Sequence, residues 1–196
     1  MATLSHRLKA RLRRFVQRQE GVMAAELILV MPVFLFAIIG TYTYWDAFRA
    51  LNSALKASYT VSDMIAREMR PVDDTYLLGL HDVMQYMVGN DLPVEMRVSS
   101  ITYSELRQRF EVEWSRSPNN DLPQLDTTSL QPLAQHIPIL ADGDAIILME
   151  TNVEFTPAFA ETPSAFMYLT DEVFTQFIVT RPRFVPRICL KDVACG

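Results

Sequence analysis

From Leu27 to Trp45 the chain runs nineteen residues without a charge. As a helix rising about 1.5 Å per residue, this run spans roughly 28 Å, close to the hydrocarbon thickness of a bilayer. A backbone crosses lipid only when its polar groups are satisfied internally, so the run predicts a transmembrane helix, with Tyr42, Tyr44 and Trp45 as an aromatic belt at its outer end. Two residues stand out against it. Glu26 places a carboxylate at the inner edge. Pro32 removes a backbone donor about a turn and a half further on and should kink or loosen the helix. A carboxylate in lipid costs about 2.5–3.5 kcal/mol at mid-bilayer, less near the interface, and so implies a partner. The bland alternatives are a Glu26 that snorkels to the interface and a tolerated membrane proline without a task.

Charge is unevenly placed around this run. The first twenty residues hold six basic groups (Arg7, Lys9, Arg11, Arg13, Arg14 and Arg18) and one acid. That leaves twelve of the eighteen basic residues against twenty-two of the twenty-three acids for the rest. A basic arm directly before an apolar span stays in the cytoplasm and sends the C-terminal bulk across. The same arm reads more simply as a topology signal or a lipid contact than as a nucleic-acid site, and the acidic bulk gives no electrostatic reason to bind nucleic acid. Leu4, Leu8, Leu12 and Phe15 repeat at helical spacing, so the arm can lie on the inner membrane surface. The apolar run is too long for an ordinary secretory h-region, and the pattern around Arg13-Arg14 is too loose for a twin-arginine signal. Both cysteines, Cys189 and Cys195, fall in the final eight residues. An oxidising compartment favours a small disulfide between them; two free thiols on a tail are the alternative.

Gly21-Val22-Met23-Ala24-Ala25-Glu26-Leu27, followed by an apolar run with an early proline, resembles the start of TadE/TadG-like pseudopilins of the tight-adherence (Flp-type) pilus apparatus. The resemblance covers roughly residues 14–60. It implies cleavage by a membrane prepilin peptidase between Gly21 and Val22. It also implies that Glu26 pairs with the terminal amine of a neighbouring subunit. The expected place is the bacterial inner membrane, with the N-terminus cytoplasmic and the head periplasmic. The implied partners are membrane lipid, the peptidase and other pilins or pseudopilins. Glycine suits the cleavage position because, lacking Cβ, it lets the chain run extended into a cleft.

Beyond the apolar run, Ala47, Ala50, Ala54, Ala57, Val61 and Met64 recur at helical spacing. Phe48, Leu51, Leu55, Ile65 and Met69 widen that side, and Arg49, Lys56, Asp63 and Arg67 mark the opposite one. The spacing predicts an amphipathic helix over residues 46–70, ended by Pro71 and lying on the chain's own head rather than in a narrow coiled-coil seam. Asp73-Asp74 then signals a second helix over 71–92, with Leu77, Leu80, Met84 and Met87 on one face and a stop at Gly89-Asn90. Residues 93–116 read as a β-hairpin around 104–108, in which Phe110, Val112 and Trp114 share one face. A short helix from Ser129 to His136, a turn at Asp142-Gly143-Asp144, a strand over 145–155, a short helix starting at Thr162-Pro163 and a last strand over 173–180 complete the pattern. The basic, proline-containing stretch 181–187 reads as a solvated tail.

The predicted fold class is therefore α+β: a long N-terminal helix of pilin type carrying a small head with an antiparallel sheet of three or four strands. The predicted divisions are a leader (1–21), a transmembrane helix (22–45), its amphipathic extension (46–70) and the head (71–196). No nucleophile elbow, phosphate-binding glycine loop or zinc-protease motif occurs. Three scattered histidines offer no ligand spacing. The expectation is a non-enzymatic pilus-biogenesis component with no cofactor, metal, nucleic acid or small-molecule substrate. The alternatives are an uncleaved single-pass envelope protein that scaffolds a secretion or adhesion complex, and a membrane-tethered hydrolase or binding module.

Overall fold

A computed structural model describes residues 22–89, 91–158 and 171–193. The chain divides into two compact units, Met1–Trp45 and Asp46–Gly196. One helix, α1 (Val22–Ala66), contributes residues to both. Within the first unit, every side chain from Met23 to Ile38 is exposed on all sides of the helix. The Thr41 and Thr43 hydroxyls donate back to the Ala37 and Ile39 carbonyls at 2.8 and 2.9 Å. This bond satisfies a hydroxyl without water and keeps the helix surface apolar.

In the second unit, α1 presents Ala50, Ala54, Ala57, Val61 and Ile65 as a buried stripe. The α2 helix (Asp74–Val88) starts at Asp73, whose carboxylate accepts the Tyr76 N–H at 2.9 Å, and ends at Gly89 with φ 118°. That angle lies in the left-handed region glycine tolerates best. Four strands follow: β1 (Val94–Ser104), β2 (Arg109–Arg116), β3 (Ala145–Phe155) and β4 (Glu172–Thr180), all antiparallel, in the order β2-β1-β3-β4. One sheet face, with Met96, Val98, Met149 and Val153, packs against α1 and α2. The other, with Ile101, Ile146 and Leu148, is covered by Leu125, Leu130, Ile137 and Leu140 from the β2–β3 connection. That connection holds a four-residue helix, α3 (Thr127–Leu130), capped by Asp126, followed by a 3-10 helix over Gln131–His136.

Four expectations are corrected. First, α1 ends at Ala66, short of Pro71, because other groups take up its end: Arg183 N–H donates to the Ala66 carbonyl at 2.8 Å, and Glu68 accepts the Met69 and Arg70 amides. Second, the apolar face of α1 is narrower than its sequence suggests, for Phe48 and Met64 are exposed, and Met69 lies beyond the helix. Third, Phe110, Val112 and Trp114 do not share a face. The register shifts where Ser100 pairs Trp114 but Ile101 pairs Val112, which leaves Glu113 as the extra residue of a β-bulge. Phe110 and Val112 pack in the β2–β3 connection's core, and Trp114 in the helix-side core. A bulge inserts one residue and so reverses the alternation beyond it.

Fourth, the basic stretch 181–187 is only in part a solvated tail: its residues are exposed or half-buried, Val185 packs against the helix-side core, and the chain just beyond it is seated. Ile188 and Leu190 are buried in the helix-side core. Trp114 Nε1 donates to the Ile188 carbonyl at 2.8 Å, Val72 N–H donates to the Cys189 carbonyl at 2.9 Å, and Lys191 N–H donates to the Val72 carbonyl at 2.9 Å. The bulged Glu113 accepts from Arg187 at 2.7 Å and from the Ser100 hydroxyl at 3.0 Å, and Arg183 pairs with Asp63. The short helix expected at Thr162-Pro163 lies outside the described residues.

Trp114→Phe keeps the ring in the core but leaves the Ile188 carbonyl without its donor, so urea unfolding followed by circular dichroism should show a loss of about 1–3 kcal/mol. Ala57 is fully buried. Ala57→Leu should overpack the helix–sheet contact and cost about 1–3 kcal/mol in the same measurement.

Candidate functional site

The residues that the sequence nominates for assembly lie on the first stretch of α1. The helix begins at Val22, and Gly21 lies outside the described residues. Glu26 is exposed and has no hydrogen-bond or ionic partner among the described residues. It sits one turn along from Val22, so the Val22 backbone nitrogen and the Glu26 carboxylate share a helix face. Pro32 lies inside α1, and the helix continues through it. Its ring nitrogen cannot donate to the Ile28 carbonyl, so that acceptor loses its place in the i→i−4 ladder. Glu26 and the Ile28 carbonyl are thus two polar sites in an otherwise apolar stretch. Among the described residues α1 alone is long and apolar enough to cross a membrane, by length and composition. Among the described residues none of its most apolar eighteen-residue window is buried.

Cys189 is held in a disulfide. Cys195, the other cysteine of the sequence, lies outside the described residues. Cys189 sits between Ile188 and Leu190, both buried, and its carbonyl is tied to Val72. The crosslink therefore starts from a point already fixed to the core.

His81 and His136, the head's two histidines, are kept apart. His81 is buried on α2, with Nε2 3.0 Å from the Val94 carbonyl and Asn119 Nδ2 3.2 Å away. His136 lies against Phe177 on the sheet's opposite face, ring centroids 5.7 Å apart. Among the described residues no three histidine, cysteine or acidic side chains gather as metal ligands.

The head has a cleft of about 520 Å³ between the Asp46 end of α1 and the C-terminal end of α2. Asp46, Arg49, Tyr86, Asp91 and Glu154 supply its polar edges, and no histidine or cysteine lines it. The groups whose ionisation is displaced lie elsewhere. A hydrogen bond from Arg107 holds the Glu111 carboxyl below its ordinary value, and the Ser129 backbone amide does the same for Asp126. Burial, then the charge of Glu68, raises the Tyr76 phenol. These are a hairpin ion pair, a helix cap and a half-buried tyrosine. Catalytic sites instead tend to gather displaced groups in one cleft.

Asp126 carries a pH prediction. Its folded value is below the unfolded one, so its contribution to stability is complete above the unfolded value and is lost as pH falls through the folded one. Asp126→Asn keeps a cap acceptor without the titration. Thermal melts between pH 2 and pH 6 should therefore show a shallower acid limb for the variant than for the parent.

Set beside protein-family models, curated proteins and solved structures, the chain matches none.

Proposed function

We propose that this protein is a non-enzymatic minor pseudopilin or pilus-biogenesis component of a tight-adherence (Flp-type) apparatus, anchored in the bacterial inner membrane by residues 22–45 with its head in the periplasm. One observation supports the reading: a single continuous helix, Val22–Ala66, carries no charge from Leu27 to Trp45, has none of its most apolar window buried among the described residues, and buries one alanine-rich stripe of its second half in the head. A side chain such as Leu or Phe left in water forgoes about 1.5–3 kcal/mol of burial, so a run of them needs lipid or other helices as solvent. The basic leader, Gly21, Glu26 and Pro32 make neighbouring pilin helices the occupants after extraction from the membrane.

In this mechanism the peptidase cuts after Gly21 and frees the Val22 amine. Glu26 then offers its carboxylate to an amine on a neighbouring chain, where the pair replaces the cost of an isolated charge in lipid. The amine of the same chain, one turn away, competes for that carboxylate. Axial stagger between subunits decides between the two.

N-terminal sequencing of protein coexpressed with a prepilin peptidase tests the processing step. The mature chain should begin at Val22, and Gly21→Leu should remain full length. A wild-type chain that stays full length in the membrane fraction favours the uncleaved scaffold instead. Glu26→Gln should be processed normally and yet reduce fibre assembly by tenfold or more, on the order of the 1.4 kcal/mol or more that a charged pair in lipid is worth. Counting fibres by electron microscopy would check this.

A further inference from the structure

The two edges of the sheet are treated differently. At the β2 edge, the Val112 N–H donates to the Thr127 hydroxyl at 3.1 Å, and Gln131 donates to the Phe110 carbonyl at 3.2 Å. The β2–β3 connection thus takes up that strand's outward backbone groups. At the other edge β4 pairs with β3 alone, over the whole register from Ile147↔Thr180 to Phe155↔Glu172. Among the described residues nothing outside β3 bonds to its backbone. The open strand is nine residues long. Val173–Thr180 contains no charge, proline or glycine. Proteins ordinarily blunt such an edge with lysine, proline, a bulge or a covering loop. Among the described residues the chain does so at β2 and not at β4.

We infer that the β4 edge receives an extended strand of a partner protein, added antiparallel to the sheet. The strand's character follows from what it would meet. Its middle is uncharged and β-branched or aromatic, to match Val173, Phe177 and Val179 on one face and Phe174 and Ile178 on the other. Its C-terminal end is basic. Asp171, Glu172 and Glu154 are all exposed at the start of β4, and among the described residues no cation pairs with them. The far end is already balanced, with Arg181 3.3 Å from Asp144 and Arg183 paired with Asp63. An antiparallel partner brings its C-terminal end to the acidic side.

A second copy of this chain fits less well. β4 runs from the cleft end, where Phe155 and Asp46 lie, to the Ala66 end, where Arg183 is bonded. Antiparallel pairing of β4 with β4 would bring Arg181 and Arg183 to the acidic side, and both are already paired with acids of their own head.

The test uses full-length protein in detergent micelles. The probe is a fluorescein-labelled peptide of residues 173–183, in which an uncharged run is followed by Arg181 and Arg183. Fluorescence anisotropy should show saturable binding. The same peptide with both arginines changed to glutamate should bind about tenfold more weakly. Hydrogen exchange should slow at β4 amides on peptide addition and stay unchanged at β2. Val173→Lys combined with Thr175→Lys in the protein should weaken binding about tenfold while its circular dichroism is kept. Equal binding of the acidic peptide, or protection on α1 instead of β4, would overturn the proposal. So would a concentration-dependent dimer by light scattering whose β4 amides are protected before any peptide is added. None of these results bears on cleavage at Gly21, so the edge and the pilus reading fail separately.

Discussion

The head depends on how closely α1 approaches the sheet. Ala54 and Ala57 are fully buried and contribute only methyl groups, so the helix backbone lies near the strands. At such a distance no long side chain fits, and a polar group is tolerated only if it is matched. Ser58 shows the solution: its hydroxyl donates to the Ala54 carbonyl at 2.8 Å, which leaves Thr151 on β3 to donate to it at 2.9 Å. A small-residue stripe with one hydroxyl pair at its centre sets the depth at which the larger residues, Val61 and Ile65 on the helix and Met149 and Val153 on the strand, close the core. Ser62 is buried, and among the described residues its hydroxyl has no hydrogen-bond partner, a cost that the close approach carries.

The C-terminal strap makes this core continuous. Ile188 and Leu190 fill the space between the α1–α2 link and the β2 edge, and each flanking carbonyl has a named donor. A strap held only by apolar contacts could slide. Here Trp114 and Val72 fix its backbone at consecutive residues, while Arg187 and Arg183 fix its approach from the surface. The bulge at Glu113 serves both ends of this arrangement, because one inserted residue turns Trp114 inward and aims a carboxylate at Arg187. The disulfide at Cys189 adds a covalent limit to a segment that is already seated.

Much of this was legible in the sequence, wherever one local rule decided the outcome. Asp73 announced α2 because a cap works through its own next turn. The strand β3 from Ala145 to Phe155 was legible because it opens on an unbroken apolar run, Ala145–Met149, which suits a strand buried on both faces. The failures share a cause as well. The end of α1, the bulge at Glu113 and the seated strap all depend on residues far away in sequence. Arg183 meets Ala66, Ile188 meets Trp114, and Cys189 meets Val72. No periodicity within the strap itself could announce a partner more than seventy residues back. Glu26 and Pro32 were legible as anomalies for the same reason in reverse, since a charge and an imino acid stand out in an apolar run without any tertiary information.

The exposure of α1 separates two kinds of uncovered apolar surface. In the head, Phe48 and Tyr59 stand beside the buried stripe and are more than half exposed. They alternate with Asn52, Lys56 and Thr60, so water can reach that side. Between Leu27 and Trp45 no charged residue interrupts the surface, and the two threonine hydroxyls, Thr41 and Thr43, turn back onto their own helix. A surface of the first kind is an ordinary mixed helix face. One of the second kind presents apolar side chains on every side, and by length and composition it is a helix that could cross a membrane. Among the described residues the head buries one stripe of the helix's second half, and every side chain from Met23 to Ile38 is left exposed.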